Sequence, residues 1–178
     1  MAPKKVLVSV GSYERVVYGL DLEYDGQSIL SSKHSFAIPA HLGMVKSIAS
    51  CARYLVSGGS DENIKVFDLR RRRDLGTVPE HAGTITSLAF HGDRHLLSAG
   101  LDGALALFRT RDWECLQVMT QKKAVLGLAI HPTGKLALSL GDKELFVWNL
   151  VAGKRAHRQR LSFVAERVAF SPSGLAYA

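Results

Sequence analysis

The sequence has few cysteines and no long apolar run, and each of these shortages excludes a class of protein. Its two cysteines among 178 residues, Cys51 and Cys115, stand far apart, so they form neither a disulfide framework nor a metal-binding spacing. No apolar stretch approaches the roughly 18 residues that span a bilayer, and we expect no membrane partner. The apolar run Val6–Val10 is too short for a signal peptide. We therefore expect Met1–Val10 to hold the first strand of an intracellular protein.

The chain is strongly basic, while the rest of its composition is that of an ordinary globular domain. Lysine and arginine number 23 against 16 acidic residues, which gives a net charge of +7 and a pI of about 9.6. Hydrophobic residues make up 47% of the chain and charged residues 22%. An excess of positive charge favours nucleic acid or acidic partners, although it does not determine the fold.

Three units of about 40 residues repeat the same pattern along the chain. His41 and His81 are 40 residues apart, and the aromatic positions Phe67, Phe108 and Trp148 follow at intervals of 41 and 40. Each unit contains short apolar segments bounded by glycine, proline, aspartate and serine, as β-strands are. A period near 40 with four short strands per unit is the signature of WD repeats. The sequence therefore predicts an all-β fold, a WD-repeat β-propeller.

The repeats cover the whole chain as one propeller portion of about four blades. A fainter copy, Val10–Val16, aligns with Gly58–Ile64, so residues 6–24 are expected to form two strands of an extra blade. Ser28–Phe36 is expected to form the outer strand that leads into the His41 unit. A seven-bladed ring needs roughly 280 residues, so we expect this chain to form the N-terminal part of one. The predicted boundaries are 1–27 for the extra strands, 28–73, 74–110 and 111–153 for the repeats, and 154–178 for an incomplete repeat.

A histidine, a serine and an aspartate recur in the repeats, and this is the residue set of a hydrolase triad. A nucleophile would need an exposed position, and catalysis would not need the set twice. In WD-repeat proteins these residues form a buried network between the strands of a blade, where every polar group must be paired. We therefore predict a structural role and no enzyme. The predicted network residues are His41, Ser57, Asp61, His81, Ser98, Asp102, Ser139, Asp142 and Trp148.

The third repeat departs from the other two. WD-repeat networks normally end on a tryptophan, which Phe67 and Phe108 replace in the first two repeats, whereas the third keeps Trp148. The third repeat also has Gln121 near the histidine position and one residue fewer between its serine and its aspartate. We expect its network to be the weakest.

The remaining histidines carry no sign of a ligand site. They are scattered, without a second histidine or a carboxylate at metal-ligand spacing, and no glycine-rich loop followed by lysine could cradle a phosphate. We therefore expect no metal, no cofactor and no small-molecule substrate.

Three basic clusters follow the third strand of successive units and lead into, or onto, the fourth. Connections of this kind emerge on one face of a propeller, so three neighbouring blades would present a continuous basic strip. The strip would either be a set of solvated loops or contact phosphates and acidic proteins, and phosphate contacts give salt-sensitive affinity. Lys122, Lys123 and Glu80 are expected on the opposite face. The residues of the predicted strip are Arg70, Arg71, Arg72, Arg73, Arg109, Arg111, Lys154, Arg155, Arg158 and Arg160.

Longer phrases of the sequence resemble one WD-repeat family, the PAK-interacting or maintenance-of-killer family, over nearly all 178 residues. This resemblance implies a seven-bladed propeller that acts in the nucleolus as an assembly factor of the large ribosomal subunit. It also implies negative regulation of a PAK-type kinase, and it brings no catalytic residue. The phrases are Gly11-Ser-Tyr-Glu-Arg-Val-Val-Tyr-Gly19, His81-Ala-Gly-Thr-Ile-Thr-Ser-Leu88, Gly92-Asp-Arg-His-Leu-Leu-Ser98, Trp113-Glu-Cys-Leu116, His131-Pro-Thr-Gly-Lys-Leu-Ala-Leu-Ser139 and Trp148-Asn-Leu-Val-Ala-Gly-Lys154.

Three functions remain open on this basis. The first is a nuclear, nucleolar scaffold that docks on pre-ribosomal RNA and on ribosomal or assembly proteins of the large-subunit precursor. The second is an adaptor that binds a kinase regulatory region through a groove outside the basic strip. The third, a substrate receptor for a ubiquitin ligase, would need a ligase-binding element outside the blades, and the sequence shows none. Because a fold does not define a function, the resemblance favours the first.

Overall fold

The computed structural model describes residues 4–178, which form fifteen β-strands and no helix. The predicted first strand therefore begins at Lys4, and Met1–Pro3 lie outside the described residues. None of the described residues belongs to a helix that could cross a membrane. The first sheet contains β1 (Lys4–Gly11), β2 (Val16–Tyr24) and β3 (Ile29–Pro39), and the second contains β4 (Val45–Ser50), β5 (Tyr54–Gly59), β6 (Ile64–Asp68) and β7 (Arg73–Val78). The third sheet contains β8 (Ile85–His91), β9 (His95–Gly100), β10 (Ala104–Arg109) and β11 (Glu114–Thr120), and the fourth contains β12 (Gly127–Ile130), β13 (Leu136–Gly141), β14 (Glu144–Asn149) and β15 (Lys154–Arg160).

Each sheet is an antiparallel meander in which neighbouring strands in the sequence are hydrogen-bonded neighbours in space. Strand β8 contacts both β4 and β12, and these three are the innermost strands of their sheets, whereas β7, β11 and β15 lie at the outside. This arrangement is that of successive blades around a common axis. The predicted fold, an all-β partial β-propeller, is confirmed.

The cores lie between neighbouring blades, where the facing sheets pack against each other. Ile64 and Val66 of the second sheet pack with Phe108 of the third, and Leu105 of the third packs with Phe146 of the fourth. Burial of aliphatic and aromatic side chains on both faces of a strand is what the continuous apolar runs of the repeats provide. Apolar packing thus holds neighbouring blades together.

The sheets are offset by one strand from the predicted repeats. The predicted strands over residues 6–24 correspond to β1 and β2, and β3 pairs with β2 as the outer strand of the first sheet. Each predicted repeat therefore begins with the outer strand of the preceding sheet, so the repeat boundaries and the sheet boundaries differ by that strand.

Two histidines link successive blades at one end of the sheets. Nε2 of His91 donates to the carbonyl oxygen of Pro132 at 3.0 Å, and Nε2 of His131 donates to that of Gly174 at 3.1 Å. His91 ends the innermost strand of its blade and His131 directly follows that of the next, and each reaches the turn between first and second strands of the following blade. This role was not predicted from the sequence, in which the two histidines stand apart without a recognisable partner.

Candidate functional site

The first complete blade contains a buried chain of three polar side chains. His41 lies between Asp61 and Ser57, with Nδ1 2.9 Å from a carboxylate oxygen and Nε2 2.7 Å from the hydroxyl. The imidazole side chain is 0% exposed, so its two ring nitrogens depend entirely on these partners. Asp61 also accepts the backbone N–H of Leu42 at 2.8 Å, which ties the connection before β4 to the turn between β5 and β6.

The next blade repeats the arrangement with nearly the same geometry. Nδ1 of His81 lies 3.0 Å from a carboxylate oxygen of Asp102, and Nε2 lies 2.6 Å from the hydroxyl of Ser98. Asp102 accepts two backbone N–H groups as well, from Ala82 at 2.9 Å and Ala104 at 3.0 Å. Ser98 is fully buried, as is the corresponding serine of the preceding blade. A serine hydroxyl sealed in this way cannot reach a substrate, so the set is a strand-to-strand link.

The third network has a different composition, and the prediction that Asp142 belongs to it is wrong. The Ser139 hydroxyl donates to the Gln121 side-chain oxygen at 2.7 Å, and Nε1 of Trp148 donates to the same hydroxyl at 2.8 Å. The side-chain amide of Gln121 donates in turn to the carbonyl oxygen of Ala124 at 3.0 Å. Asp142 is exposed and takes no part, because the turn between β13 and β14 has one residue fewer and turns this side chain outward.

The two network aspartates make the stability of the protein sensitive to acid. Burial of the Asp61 carboxyl acts to raise its pKa, but the Leu42 N–H and His41 outweigh this and lower it from 3.8. The same holds for Asp102, whose pKa is lowered by backbone N–H groups and by His81 against the effect of burial. A carboxyl group with a lowered folded-state pKa stabilises the fold above its unfolded pKa and loses that effect as the pH falls through the folded value.

We therefore expect the free energy of unfolding to be steady from neutral pH down to about pH 5 and to fall below about pH 4. Urea unfolding at a series of pH values measures this directly. The variant Asp102→Asn should show a shallower acid dependence than the wild type, since one of the two groups no longer titrates. A stability that rises on acidification below pH 4 would contradict the assignment.

The structure gathers most of the predicted basic strip at one end of the sheets. The β6–β7 turn holds Arg70, Arg71 and Arg72, the β10–β11 turn holds Arg111, and the β14–β15 turn leads directly to Lys154 and Arg155. These three turns belong to neighbouring blades and emerge at the same end, which we call the basic end. Arg73 begins β7 and Arg109 ends β10 at this end, and all of these residues except Arg109 are exposed.

Two residues of the predicted strip lie elsewhere. Arg160 pairs in register with Glu144, the first residue of β14, which places it at the opposite end of the fourth sheet. Arg158 forms an ion pair with the same Glu144. The prediction that both arginines join the strip is wrong, because β15 is seven residues long and carries its C-terminal part away from the basic end.

Ion pairs neutralise part of the charge at the basic end. Arg109 donates to Asp112, with Nη2 2.7 Å from a carboxylate oxygen, and this hydrogen bond lowers the Asp112 pKa to about 2. Arg109 also pairs with Glu114. Arg72 donates to the Ser35 hydroxyl at 2.9 Å and lies 3.9 Å from Asp21. The positive charge available to a partner therefore comes mainly from the other residues of the basic end.

Three further cations, which were not predicted from the sequence, lie at the same end. Arg53, Arg94 and Lys135 each stand immediately before the second strand of their sheets, β5, β9 and β13. An alignment of the repeats at the turn between first and second strands would have found them as one recurring basic position. With them, both sets of turns at this end carry positive charge.

Comparisons with known proteins agree with the architecture. Three stretches, residues 32–68, 72–109 and 113–149, match the family described as "WD domain, G-beta repeat". The chain therefore belongs to the WD-repeat family. Within the described residues, no group of three or more histidine, cysteine or acidic side chains is arranged as a metal site.

Several curated relatives are similar to most of this chain. A "p21-activated protein kinase-interacting protein 1-like" of Xenopus laevis is 40% identical over 98% of this chain, which covers 48% of that protein. "p21-activated protein kinase-interacting protein 1" of Homo sapiens is 36% identical over 94% of the chain, covering 44% of that protein. "Protein MAK11" of Saccharomyces cerevisiae is 33% identical over 75% of the chain, covering 38% of that protein. The chain thus spans less than half the length of these relatives, and the resemblance predicted from its motifs is confirmed.

Proposed function

We propose that this chain is a non-catalytic scaffold in the assembly of the large ribosomal subunit. It docks on pre-ribosomal RNA and on proteins of the large-subunit precursor, in the nucleus and nucleolus. The observation that carries the proposal is the basic end, where exposed cations from three neighbouring blades emerge together. Cations of this kind neutralise phosphates and release counterions, which supplies affinity for RNA without reading its sequence.

The buried networks support the non-catalytic part of the proposal. The serines that could act as nucleophiles are sealed inside their blades and hydrogen-bonded to histidine or to glutamine. A scaffold needs a rigid body with fixed turns, and these networks supply it by joining the strands of each blade.

A second candidate function is an adaptor that negatively regulates a PAK-type kinase. The names of the Xenopus laevis and Homo sapiens relatives, which describe interaction with a p21-activated protein kinase, favour it. Such an adaptor would bind a kinase regulatory region through a groove away from the basic end, and it would tolerate charge reversal there.

Ultraviolet crosslinking of the tagged chain in cells, followed by sequencing of the bound RNA, separates the two functions. The scaffold proposal predicts enrichment of precursor RNA of the large subunit over messenger RNA and over precursor RNA of the small subunit. Recovery of a PAK-type kinase with no enriched ribosomal RNA would refute the scaffold proposal in favour of the adaptor.

A further inference from the structure

A groove opens between the second and third blades at the basic end. It encloses about 460 Å³ and is walled by the β4–β5 and β6–β7 turns on one side and the β8–β9 and β10–β11 turns on the other. Five arginines and one carboxylate line it: Arg53, Arg70, Arg94, Arg109, Arg111 and Asp93.

Two of the arginines are fixed in place by the fold. Arg53 donates from Nε to Asp68 at 3.2 Å, and its guanidinium lies over the ring of Tyr54, 4.8 Å from the centroid. Arg109 is held by Asp112 on the other side of the groove. Guanidinium groups fixed in this way lose little conformational entropy when an anion binds.

The other three arginines bring the uncompensated charge. Within residues 4–178, Arg70 and Arg94 form no ion pair, and Arg111 makes only a 3.5 Å contact with Asp112 while its side chain stays 80% exposed. Asp93, the carboxylate of the lining, accepts the backbone N–H of Ala52 at 3.0 Å and so links the two blades. The groove therefore has a net positive charge that the protein does not neutralise.

The pKa of His95, in the groove wall, responds to this positive charge. Burial lowers the pKa of His95, and the neighbouring positive charges of His91, Arg94 and Arg109 lower it further. A polyanion that fills the groove would oppose those charges and raise the His95 pKa.

The placement of the arginines fits a chain of phosphates better than a single phosphorylated side chain. Arg70, Arg94 and Arg111 come from three turns on two blades, and Arg71 and Lys154 continue the charge along the same end. One phosphate on a peptide is bound by cations that converge on a point, whereas a nucleic acid backbone engages cations spread along a track.

We propose that this groove binds the sugar–phosphate backbone of RNA, which rests on the proposed scaffold function and assigns its RNA contact. The contact is independent of base sequence. The tyrosine that lines the groove, Tyr54, is buried and packs between Arg53 and Trp113, so it offers no face on which a base could stack. Arg70, Arg94 and Arg111 bind the phosphates. Arg53 and Arg109, which the fold holds in place, set the depth to which the backbone enters.

Fluorescence anisotropy with a labelled RNA hairpin, measured on the full chain over a range of salt concentrations, tests the groove. The double variant Arg70→Glu/Arg94→Glu should weaken binding by at least about tenfold and reduce the slope of log Kd against log salt by about two. The control Lys122→Glu/Lys123→Glu makes the same charge change on exposed residues of the opposite end, and its affinity should stay within about twofold. An NMR titration should show the His95 pKa rising when the hairpin is added to the wild type.

The other outcomes decide against the groove or against the scaffold function. Equal losses in the two double variants would show that the net charge of the chain, rather than this groove, binds RNA. A doubly phosphorylated peptide that displaces the hairpin at lower concentration than unlabelled RNA would assign the groove to a phosphoprotein instead. Normal crosslinking of the groove variant to large-subunit precursor RNA in cells would refute the groove and leave the scaffold function standing. If the variant loses hairpin binding but no ribosomal RNA is crosslinked to the wild type in cells, the groove binds RNA and the scaffold function is refuted.

Discussion

The substitution Asp102→Ala is expected to lower the free energy of unfolding by about 3 kcal/mol. The change removes the carboxylate partner of Nδ1 of His81, whose imidazole side chain is 0% exposed in the wild type. It also removes the acceptor of the backbone N–H groups of Ala82 and Ala104. A buried polar group that loses its partner costs about 1–3 kcal/mol, and three donors are affected here to different extents.

The control for this prediction is Asp142→Ala, the same substitution at the corresponding turn of the next repeat. Asp142 is exposed and outside its network, so the loss should stay within about 0.5 kcal/mol. Urea unfolding of the wild type and both variants at neutral pH gives the comparison. Equal losses in the two variants would mean that the network contributes nothing particular to the stability of the blade.

The substitution Gly103→Ala is also expected to have a large effect and to lower the free energy of unfolding by about 3–5 kcal/mol. Gly103 has φ +79°, a left-handed conformation that alanine adopts only with strain. A Cβ here would also collide with the carbonyl oxygen of Gln121 and approach that of Lys123 to 2.9 Å. Both of these are backbone atoms of the connection that follows β11, so they cannot move aside as the end of a flexible side chain can.

The substitution Gly92→Ala separates the two causes of that loss. Gly92 also has positive φ, at +55°, but nothing lies within 4 Å of the Cβ position. The free energy of unfolding of this variant should therefore fall only by the cost of the left-handed conformation, about 1–2 kcal/mol. If chemical denaturation shows Gly103→Ala to be no less stable than Gly92→Ala, the close approach of the two connections at Gly103 is not important for the fold.

The fold was predictable because the same sequence pattern occurs in several successive units. A histidine, a serine and an aromatic residue at a period near 40 define a blade, and an error in one unit is corrected by the next. The third network shows the limit of this inference. The serine and Trp148 follow the pattern, but a single missing residue in the turn takes Asp142 out of the network, and only the backbone geometry shows where the side chain then lies.

The candidate site was predictable only in part. A basic residue in a turn reaches the basic end wherever the strand boundaries fall, which is why Arg70, Arg71 and Arg111 lie where the sequence placed them. The position of Arg160 depends on how far β15 continues, and at about 3.3 Å per residue it lies roughly 20 Å along the strand from Lys154. Arg53 and Arg94 are isolated in the sequence and become neighbours of the other arginines only because two blades pack together.

Sedimentation of the full chain through sucrose gradients at increasing salt is the most direct test of the scaffold function. The comparison is between the wild type, Arg70→Glu/Arg71→Glu at the basic end, and Lys122→Glu/Lys123→Glu at the opposite end. We expect the wild type and the opposite-end variant to sediment with large-subunit precursors at low salt, and the basic-end variant to stay at the top of the gradient. If all three sediment with the precursors alike, or all three remain in the light fractions at every salt concentration, the basic end does not dock this protein on the ribosome precursor.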